Sequence, residues 1–408
     1  MKRIVITGLG IISSIGSSKS DIISALKSGV SGISFSKNMK NFGLRSNVWG
    51  NLNIETYKKA LLPPKSFLRF MNDASCYAYW SMKNAIQDSK LTPNIYSKNP
   101  RIGLVVGSGS GSPKVLTKMF NVIESHRNPQ KIGPFTIIKN MTSSVSAVLG
   151  VIFKIYGVNY SINSACATSA NCIGHAVDLI LSGKQDIIFA GGSEELSVEL
   201  ACQFDAMRVL STKFNDNPEL ASRAFDINRD GFVISGGSGI IVLEELNFAL
   251  ARKAKIYAEI IGYGSTCDGS SIFEPSGDGA ERSMKSAIKG LEVSIDYLNA
   301  HGTSTKIGDL KELKAIKNVF SNNIPWISST KSITGHALGA AGVHEIIYTL
   351  LMLTNNFIAP SINIVHLDPL AYNMNIVQQC IQKKFSVAMS NSFGFGGINV
   401  SLVLKKYT

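Results

Sequence analysis

The sequence has 408 residues and a formal net charge of +13, with 45% hydrophobic and 17% charged residues. This composition excludes a disordered chain, and at roughly 100–200 residues per domain the length allows two to four domains or one large two-part fold. The longest apolar run near the C-terminal end, residues 346–353, falls far short of the roughly 20 residues that a membrane-spanning helix needs.

The N-terminal stretch MKRIVITGLGIISSIG predicts a first β-strand followed by a turn. Gly8 and Gly10 interrupt its apolar run and no small-x-small cleavage site follows, which is not the pattern of a secretory signal peptide. We therefore expect a cytoplasmic protein without membrane insertion. The six scattered cysteines, with no CxxC pair, indicate reduced thiols rather than disulfides.

Further along, short apolar runs that end in small residues alternate with helical patterns. Examples of such runs are RIGLVVGSGSGSP, QDIIFAGGSEE, GSGIIVLEEL, IYAEIIGYGS and IDYLNAHGTS. Ala170, Ile173 and Val177 show the helical spacing that separates several of them. The pattern predicts an α/β fold whose strands are covered on both faces. A helical segment near residue 250 suggests two halves of one body, residues 1–250 and 251–408.

The positive charge is concentrated in the first third of the chain. Residues 1–139 contain 20 lysines and arginines against 5 acidic residues, which leaves 21 against 23 for the remainder. Such an asymmetry indicates a basic face for an acidic partner, which could be nucleic acid, an anionic membrane or an acidic protein. A lysine-rich coding bias with solvated side chains is the alternative.

Cys166 lies in the segment VNYSINSACATSANCIGHAVDLIL, which predicts a strand, a sharp turn at the cysteine and an apolar-striped helix. A cysteine at a helix N-terminus faces unpaired backbone N–H groups and the positive end of the helix dipole, so we expect the thiolate to be favoured. The small neighbouring residues leave room for an acyl group and its carrier. A buried structural cysteine is the alternative, but the strand-turn-helix context favours a nucleophile.

Two histidines follow strands in the second half of the chain. His301 precedes an acidic helix start in YLNAHGTSTKIGDLKE, and His336 lies with Lys331 ahead of an apolar helix in SSTKSITGHALGAAG. A lone histidine is more often structural, and Lys331 alone is typical of a surface lysine. However, a histidine at a helix N-terminus has its cationic form disfavoured, and a neutral imidazole can donate a hydrogen bond to a developing oxyanion.

Other motifs do not support the chemistry that they resemble. The loop at residues 107–112, GSGSGS, lacks the last glycine of a dinucleotide-binding motif and is followed by Pro113. Residues 344–348, HEIIY, resemble the zinc-binding HExxH motif but have Tyr348 in place of the second histidine. Cysteine and histidine spacings give no metal cluster, and no Walker loop is present, so we expect no bound metal.

Five motifs together resemble the successive motifs of the β-ketoacyl-acyl-carrier-protein synthases, members of the thiolase-like superfamily. They are NSACATSANCIGHA, SRAFDINRDGFVISGGSG, YLNAHGTSTKIGDLKE, STKSITGHALGAAG and SNSFGFGGINVSLVL. Within the family the chain is most similar to synthase I, because Gly236 lies where synthase II usually has a glutamate. The resemblance implies a duplicated five-layer α-β-α-β-α fold, a homodimer and no permanently bound cofactor, since substrates arrive on the phosphopantetheine of acyl carrier protein.

The resemblance also implies the reaction, a decarboxylative condensation that lengthens an acyl chain by two carbons. Cys166 would accept the acyl chain, with its own backbone N–H and that of Phe395 as the oxyanion hole. His301 and His336 would bind the thioester carbonyl of malonyl-carrier protein. The remaining implied site residues are Lys331 and Glu312, which orient the histidines; Thr303 and Thr305, which bind the pantetheine arm; Phe393, Phe204 and Phe232, which gate or line the acyl pocket; and Lys65, Arg69 and Arg127, which contact the acidic carrier protein.

Other functions fit the sequence less well. A synthase II-type enzyme is the nearest alternative. A thiolase would need a second cysteine as base, but Cys380 lies outside SFGFGG. Synthase III-like enzymes use Cys-His-Asn, which the second histidine, His336, argues against. A nucleic-acid-binding protein would explain the basic excess but not the cysteine and histidine loops.

Overall fold

The computed structural model describes residues 2–53, 63–321 and 323–407, and its strands form one large mixed sheet and two short antiparallel pairs. The strands are β1 (Ile4–Ile12), β2 (Ile33–Phe35), β3 (Val48–Gly50), β4 (Ile102–Gly107), β5 (Asn159–Tyr160), β6 (Ile187–Glu194), β7 (Gly237–Glu245), β8 (Ala258–Cys267), β9 (Tyr297–Asn299), β10 (Trp326–Ser328), β11 (Phe357–Ile358), β12 (Ile381–Gln382), β13 (Val387–Gly394) and β14 (Ile398–Lys406).

Helices cover both faces of the large sheet. The described helices are α1 (Lys19–Ser28), α2 (Lys37–Asn41), α3 (Lys65–Leu68), α4 (Asp73–Ser89), α5 (Pro93–Tyr96), α6 (Pro113–His126), α7 (Thr136–Asn140), α8 (Ser144–Phe153), α9 (Thr168–Leu181), α10 (Val198–Ala206), α11 (Leu246–Ala251), α12 (Asp278–Ile288), α13 (Lys306–Phe320), α14 (Lys331–Thr334) and α15 (Ala341–Asn355). None of them is long and apolar enough to cross a bilayer.

The large sheet consists of two halves with the same strand order. The first half runs β5-β4-β6-β7-β1 and the second runs β10-β9-β13-β14-β8, so each strand of one half has a counterpart in the other. The halves join where Ile4–Ile6 of β1 pair antiparallel with Ala258–Ile260 of β8. This repetition confirms the predicted duplication. The predicted boundary at residue 250 falls within α11, between the halves, and stays a prediction.

Two largely buried helices, α9 and α15, meet between the two halves of the sheet. Helices α9 and α15 contact each other, and each contacts strands of both halves, while α4 covers β1 and β7, and α12 covers β8 and β14. The layers are therefore helix, sheet, helix, sheet and helix, as the resemblance implies. Gly342 permits the close approach of the two central helices, because a methyl group there would lie 2.9 Å from the Ala170 Cβ.

Candidate active site

One cavity of about 450 Å³ brings together residues that are far apart in the sequence. Cys166 comes from the first half, while His301 and His336 come from two loops of the second half. Most of the predicted site residues line this cavity: Cys166, His301, His336, Glu312, Thr303, Thr305, Phe204, Phe232, Phe393 and Phe395.

Cys166 occupies a tight turn at the start of α9. Residues 165–167 form a 3-10 turn, and Ala165 adopts a left-handed conformation with φ of +50°. Strain of this kind persists only where surrounding contacts enforce it. Asn163 holds the turn, since its side-chain oxygen accepts from the Ala165 N–H at 3.3 Å. The end of β13 lies against the turn, because a methyl group on Gly394 would be 3.2 Å from the Cys166 nitrogen.

The turn places the Cys166 sulfur at the cavity but surrounds it with protein. Burial raises the pKa of the thiol to about 12, and the negative charge of Glu194 adds to this, while the positive charge of Lys331 acts in the opposite direction. The expectation that the helix N-terminus favours the thiolate is therefore wrong for the resting chain. Desolvation outweighs the favourable charges because the low-dielectric surroundings penalise the charged form.

This raised pKa gives a direct expectation for the reactivity of Cys166. Alkylation of Cys166 by iodoacetamide should become about tenfold faster for each pH unit between 7 and 9, since the thiolate fraction rises in that proportion far below the pKa. A plateau below pH 9 would contradict the raised pKa. The rate is measured by peptide mass spectrometry, with the exposed Cys267 in the same chain as internal control.

His301 follows β9 directly, and a buried carboxylate fixes its loop. The two Glu312 oxygens accept the His301 N–H at 2.9 Å and the Gly302 N–H at 2.7 Å. Asn391 donates to the same carboxylate at 3.1 Å, and Ser401 donates to the Asn391 side-chain oxygen at 2.8 Å. Glu312 therefore positions the histidine through the backbone and does not bond to its ring.

His336 lies in the loop between α14 and α15. Its backbone is tied to the first half of the chain, because its N–H donates to the Val233 carbonyl at 2.8 Å and its carbonyl accepts from Ser235 at 2.9 Å. Its ring stands nearly perpendicular to that of His301, with centroids 5.3 Å apart, and contacts the Phe232 ring at 5.4 Å. The two imidazoles therefore share one wall of the cavity.

Both imidazoles are kept neutral. Burial lowers the pKa of His301 and of His336 well below 6.5, and the positive charge of Lys331 lowers both further. Lys331 is fully buried rather than a surface lysine, and its ammonium group pairs with Glu345. The pKa of His336 is thus lowered in the direction that the sequence predicts, with burial as the main cause and Lys331 as the second.

The remaining predicted cavity residues form two groups. The Thr303 and Thr305 hydroxyls lie 3.0 Å apart beside the histidines. Aromatic rings form the second group, with Phe204 centred 5.4 Å from Phe232 and 6.4 Å from Phe395. The Phe393 ring lies 5.6 Å from His301. The cavity thus offers both hydroxyl groups and aromatic rings to a bound molecule.

The sequence did not indicate what holds the threonine loop. The fully buried Arg229 donates to the Thr305 carbonyl at 3.1 Å and to Lys306 at 3.0 Å. Its guanidinium also pairs with Asp309 at 3.3 Å and Asp368 at 3.0 Å. RDG in the segment INRDGFV carries no spacing signal that points to this role, because these four partners lie more than 70 residues away.

The predicted carrier-protein residues lie outside the cavity. Lys65 begins α3, Arg69 follows it with its guanidinium 4.9 Å from the Phe70 ring centre, and Arg127 ends α6. All three are exposed. Sequence reasoning missed three basic residues that do line the cavity: Arg208, Lys306 and Lys311.

Other cysteines and metal sites do not enter this cavity. Cys172 is buried in α9, with its sulfur 3.9 Å from the Ile162 carbonyl oxygen, and Cys380 precedes β12. Neither lines the cavity, so a thiolase-type second cysteine is not brought to Cys166. Within residues 2–53, 63–321 and 323–407, no group of three or more His, Cys, Asp or Glu side chains could hold a metal ion.

Known proteins resemble this chain over its whole length. A 3-oxoacyl-[acyl-carrier-protein] synthase 1 of Buchnera aphidicola subsp. Baizongia pistaciae is 59% identical over 408 residues and covers 100% of both chains. The synthase of the same name from Escherichia coli strain K12 is 56% identical, covering 100% of this chain and 99% of its own.

Solved structures agree with these relatives. A β-ketoacyl synthase from Burkholderia phymatum STM815 superposes with a TM-score of 0.94 at 33% identity and covers 100% of both chains. AntDE:AntF, a type II PKS acyl-carrier protein in complex with its ketosynthase, gives a TM-score of 0.90 at 28% identity, again over 100% of both chains.

Two family models also match, the N-terminal domain of β-ketoacyl synthase over residues 1–249 and the C-terminal domain over residues 257–365. The matched segments include the turn of Cys166 and the loops of both cavity histidines. Sequence, fold and cavity agree, and the chain belongs to the β-ketoacyl synthase family.

Proposed function

We propose that this β-ketoacyl synthase, an acyltransferase of fatty acid elongation, joins an acyl group held on Cys166 to a malonyl unit carried by acyl carrier protein. The products are 3-oxoacyl-carrier protein and CO2. The observation that carries the proposal is that Cys166, His301 and His336 line the same cavity and that burial keeps both imidazoles neutral. The 55–59% identity to synthase 1 relatives favours this reaction over a synthase II-type or nucleic-acid-binding alternative.

In the first step, the Cys166 sulfur attacks the thioester carbonyl of acyl-carrier protein. The backbone N–H groups of Cys166 and Phe395 would stabilise the oxyanion, and neither donates a hydrogen bond to another described residue. The carbon–sulfur bond to pantetheine then breaks, and the thiol proton leaves with the pantetheine sulfur. Because the resting thiol is protonated, the proton must move as the new bond forms.

In the second step, malonyl-carrier protein loses CO2 and the remaining two carbons form an enolate. His301 and His336 would donate hydrogen bonds from ring N–H groups to the enolate oxygen. Neutral rings suit this role because a neutral imidazole stabilises the negative charge without transferring its proton to the oxygen. The enolate carbon attacks the acyl carbonyl on Cys166, the bond between that carbonyl and the Cys166 sulfur breaks, and the sulfur takes up a proton from water. Thr303 and Thr305, which line the same cavity, would bind the pantetheine arm through their hydroxyls.

Lys331 and Glu312 support the histidines in this scheme. The charge of Lys331 adds to burial in keeping them neutral, and Glu312 holds the His301 backbone. Phe393 and Phe395 would gate the cavity, and Phe204 and Phe232 would contact the acyl chain. The chemistry proposed here uses no resident metal or redox cofactor.

Acylation of the intact chain tests the first step. Incubated with acyl-carrier protein, the chain should gain one acyl mass, and peptide mapping should place it on Cys166. Addition of malonyl-carrier protein should then remove that mass and release 3-oxoacyl-carrier protein. An acyl mass on Cys172, or none at all, would show that the assignment is wrong.

We further propose that three exposed basic residues of the first third, Lys65, Arg69 and Arg127, bind the acidic carrier protein. Lys65→Glu with Arg69→Glu should weaken carrier-protein binding by about tenfold or more, because like charges then face an acidic partner. Arg69 also stacks on Phe70, so part of the expected loss in binding comes from losing this ring contact. Binding is measured by titration calorimetry at two salt concentrations.

The control for this variant carries the same change in net charge. Lys98→Glu with Lys154→Glu alters two exposed lysines that adjoin each other, since the Lys98 N–H donates to the Lys154 carbonyl at 2.8 Å. Binding should weaken far less in the control, while Cys166 should be alkylated at the unaltered rate in both variants. Equal losses in the two variants would favour coding bias as the origin of the basic excess.

A homodimer and a cytoplasmic location are also part of the proposal. Strand β5 lies at a free edge of the large sheet, and such an edge presents unpaired backbone groups that a second copy could pair with. Exposed apolar side chains lie close to it in sequence, with Val151 64% and Tyr156 60% exposed. Covering them in a symmetric contact would remove apolar surface from water.

A further inference from the structure

A buried carboxylate that does not line the cavity lies behind the Cys166 turn. Glu194 is the last residue of β6 and is fully buried. Its first oxygen accepts from the Ser108 hydroxyl at 3.0 Å and the Ser110 hydroxyl at 2.5 Å. Its second oxygen accepts from the Gly109 N–H at 2.8 Å and the Gly339 N–H at 3.0 Å. Four donors thus converge on one side chain.

These donors belong to two separate parts of the molecule. Ser108, Gly109 and Ser110 form the loop after β4, whose Gly109 carbonyl accepts from the Asn163 side chain at 3.1 Å. Asn163 in turn accepts from the N–H of Ala165, the residue before Cys166. Through Gly109 and Asn163, the second oxygen of Glu194 therefore helps to hold the turn that contains Cys166.

The fourth donor belongs to the other half of the chain. Gly339 lies three residues after His336, in the 3-10 turn that leads into α15. Leu338, between them, has a φ of +50°, the same left-handed conformation as Ala165 before Cys166. The loops meet closely, because a methyl group on Gly109 would lie 3.3 Å from both the Ala165 carbonyl oxygen and the Gly339 nitrogen. Glu194 therefore spans the thiol turn and the histidine turn.

We propose that Glu194 is a positioning residue that fixes the Cys166 turn against the His336 turn, and so sets the distance between the acyl carbon and the attacking carbon. The proposal rests on the roles given to Cys166 and His336 above. Only a carboxylate offers acceptors to all four donors. A glutamine has only one acceptor oxygen. If that oxygen accepts from the Gly109 and Gly339 N–H groups, the Ser108 and Ser110 hydroxyls must turn and accept from its NH2 group, and the charge that strengthens all four bonds is lost.

The neighbouring Glu195 provides a matched control. It is also buried and also binds the loop after β4, accepting from the Ser112 hydroxyl at 2.5 Å and the Lys114 N–H at 3.1 Å. Its third donor is Ser197 at 2.8 Å. None of these donors belongs to the second half of the chain, so Glu195 holds the same loop without spanning the two turns.

The test compares Glu194→Gln with Glu195→Gln in three reactions: acylation of Cys166, CO2 release from malonyl-carrier protein, and the full condensation. Acylation needs only the Cys166 turn, and decarboxylation needs only the histidines. Condensation also needs the correct distance between the Cys166 turn and the His336 turn. In Glu194→Gln the condensation kcat should fall about 10- to 100-fold, as expected for a misplacement near 1 Å, while each partial reaction stays within about threefold. In Glu195→Gln all three should stay within about twofold.

Other outcomes overturn the proposal. A condensation loss no larger than the loss in the partial reactions would show a general structural role, and an equal loss in Glu195→Gln would assign it to the loop alone. If Glu194→Gln does not fold, Ser110→Ala serves instead, since it leaves both backbone bonds, and condensation alone should fall about two- to fivefold; an unaltered rate overturns the proposal. Failure of both partial reactions in the unaltered chain would instead contradict the proposed function.

Discussion

Replacing Cys166 with alanine is expected to stop chain elongation, with a loss of at least about 10³-fold in the condensation rate, because the covalent acyl acceptor is gone. No substitute nucleophile is at hand, since Cys166 is the one cysteine among the described residues that line the cavity. Intact-mass analysis should show no acyl addition. The rate is measured with acyl-carrier and malonyl-carrier proteins together.

Two further measurements make this expectation specific. Cys166→Ala should still release CO2 from malonyl-carrier protein, because His301 and His336 are unaltered. Cys172→Ala removes a buried thiol six residues further along, outside the cavity, and should elongate acyl chains within about twofold of the unaltered chain. Elongation surviving in Cys166→Ala, or lost equally in Cys172→Ala, would remove Cys166 from its proposed role.

Lys331→Met is expected to have the largest effect on stability. The Lys331 and Glu345 side chains are each 2% exposed and pair with each other. Removing one member of a buried ion pair leaves the other charge uncompensated, which costs about 3–5 kcal/mol in the free energy of unfolding. Lys331→Met with Glu345→Gln should recover most of this loss, because neither charge then remains. Urea denaturation measures the unfolding free energies.

The cost should also depend on pH. Burial raises the pKa of Glu345 to about 7, and Lys331 opposes that rise. In Lys331→Met the pKa of Glu345 in the folded state therefore lies still further above its value in the unfolded state. Between these two pKa values the folded state keeps a proton on Glu345 that the unfolded state has lost, so the folded state loses stability as the pH rises. The loss should be larger at pH 8.5 than at pH 6. An equal loss at both values would show that Glu345 is not the group left unpaired.

An exposed ion pair gives the matched control for Lys331→Met. Lys285 pairs with Glu281 at 2.6 Å on the surface of α12, where the lysine side chain is 56% exposed. Lys285→Met should cost no more than about 1 kcal/mol, since solvent screens such pairs. Similar costs for the two lysines would mean that the buried pair contributes no more than an exposed one.

The order of strands and helices around the cavity could be predicted from local pattern. Cys166 lies between a strand and an apolar helix, and His301 follows a strand, because hydrophobic periodicity and small residues mark those junctions within about 15 residues of sequence. That both sites meet in one cavity followed from the resemblance. No local spacing indicates which loops of an α/β fold meet.

Long-range contacts and burial could not be predicted in the same way. Glu194 gains its donors from residues 84–86 positions earlier and 145 positions later, so nothing beside it in GGSEE signals its role. For a related reason, the helix N-terminus suggests a thiolate at Cys166, whereas burial raises the pKa of this thiol. A helix N-terminus can be inferred from sequence, but the extent of desolvation depends on β13 and the loops that close over the turn.

Strand β1 has a consequence for synthesis on the ribosome. All nine of its residues are buried at the centre of the large sheet. Its main pairing partner is β7, with Ile4 opposite Glu245. At about 5–20 residues per second, β1 emerges roughly 10–50 s before β7 exists. During that interval an apolar strand has no pairing partner from its own sheet. Newly made chains should therefore bind chaperones until more than half of the protein has been translated.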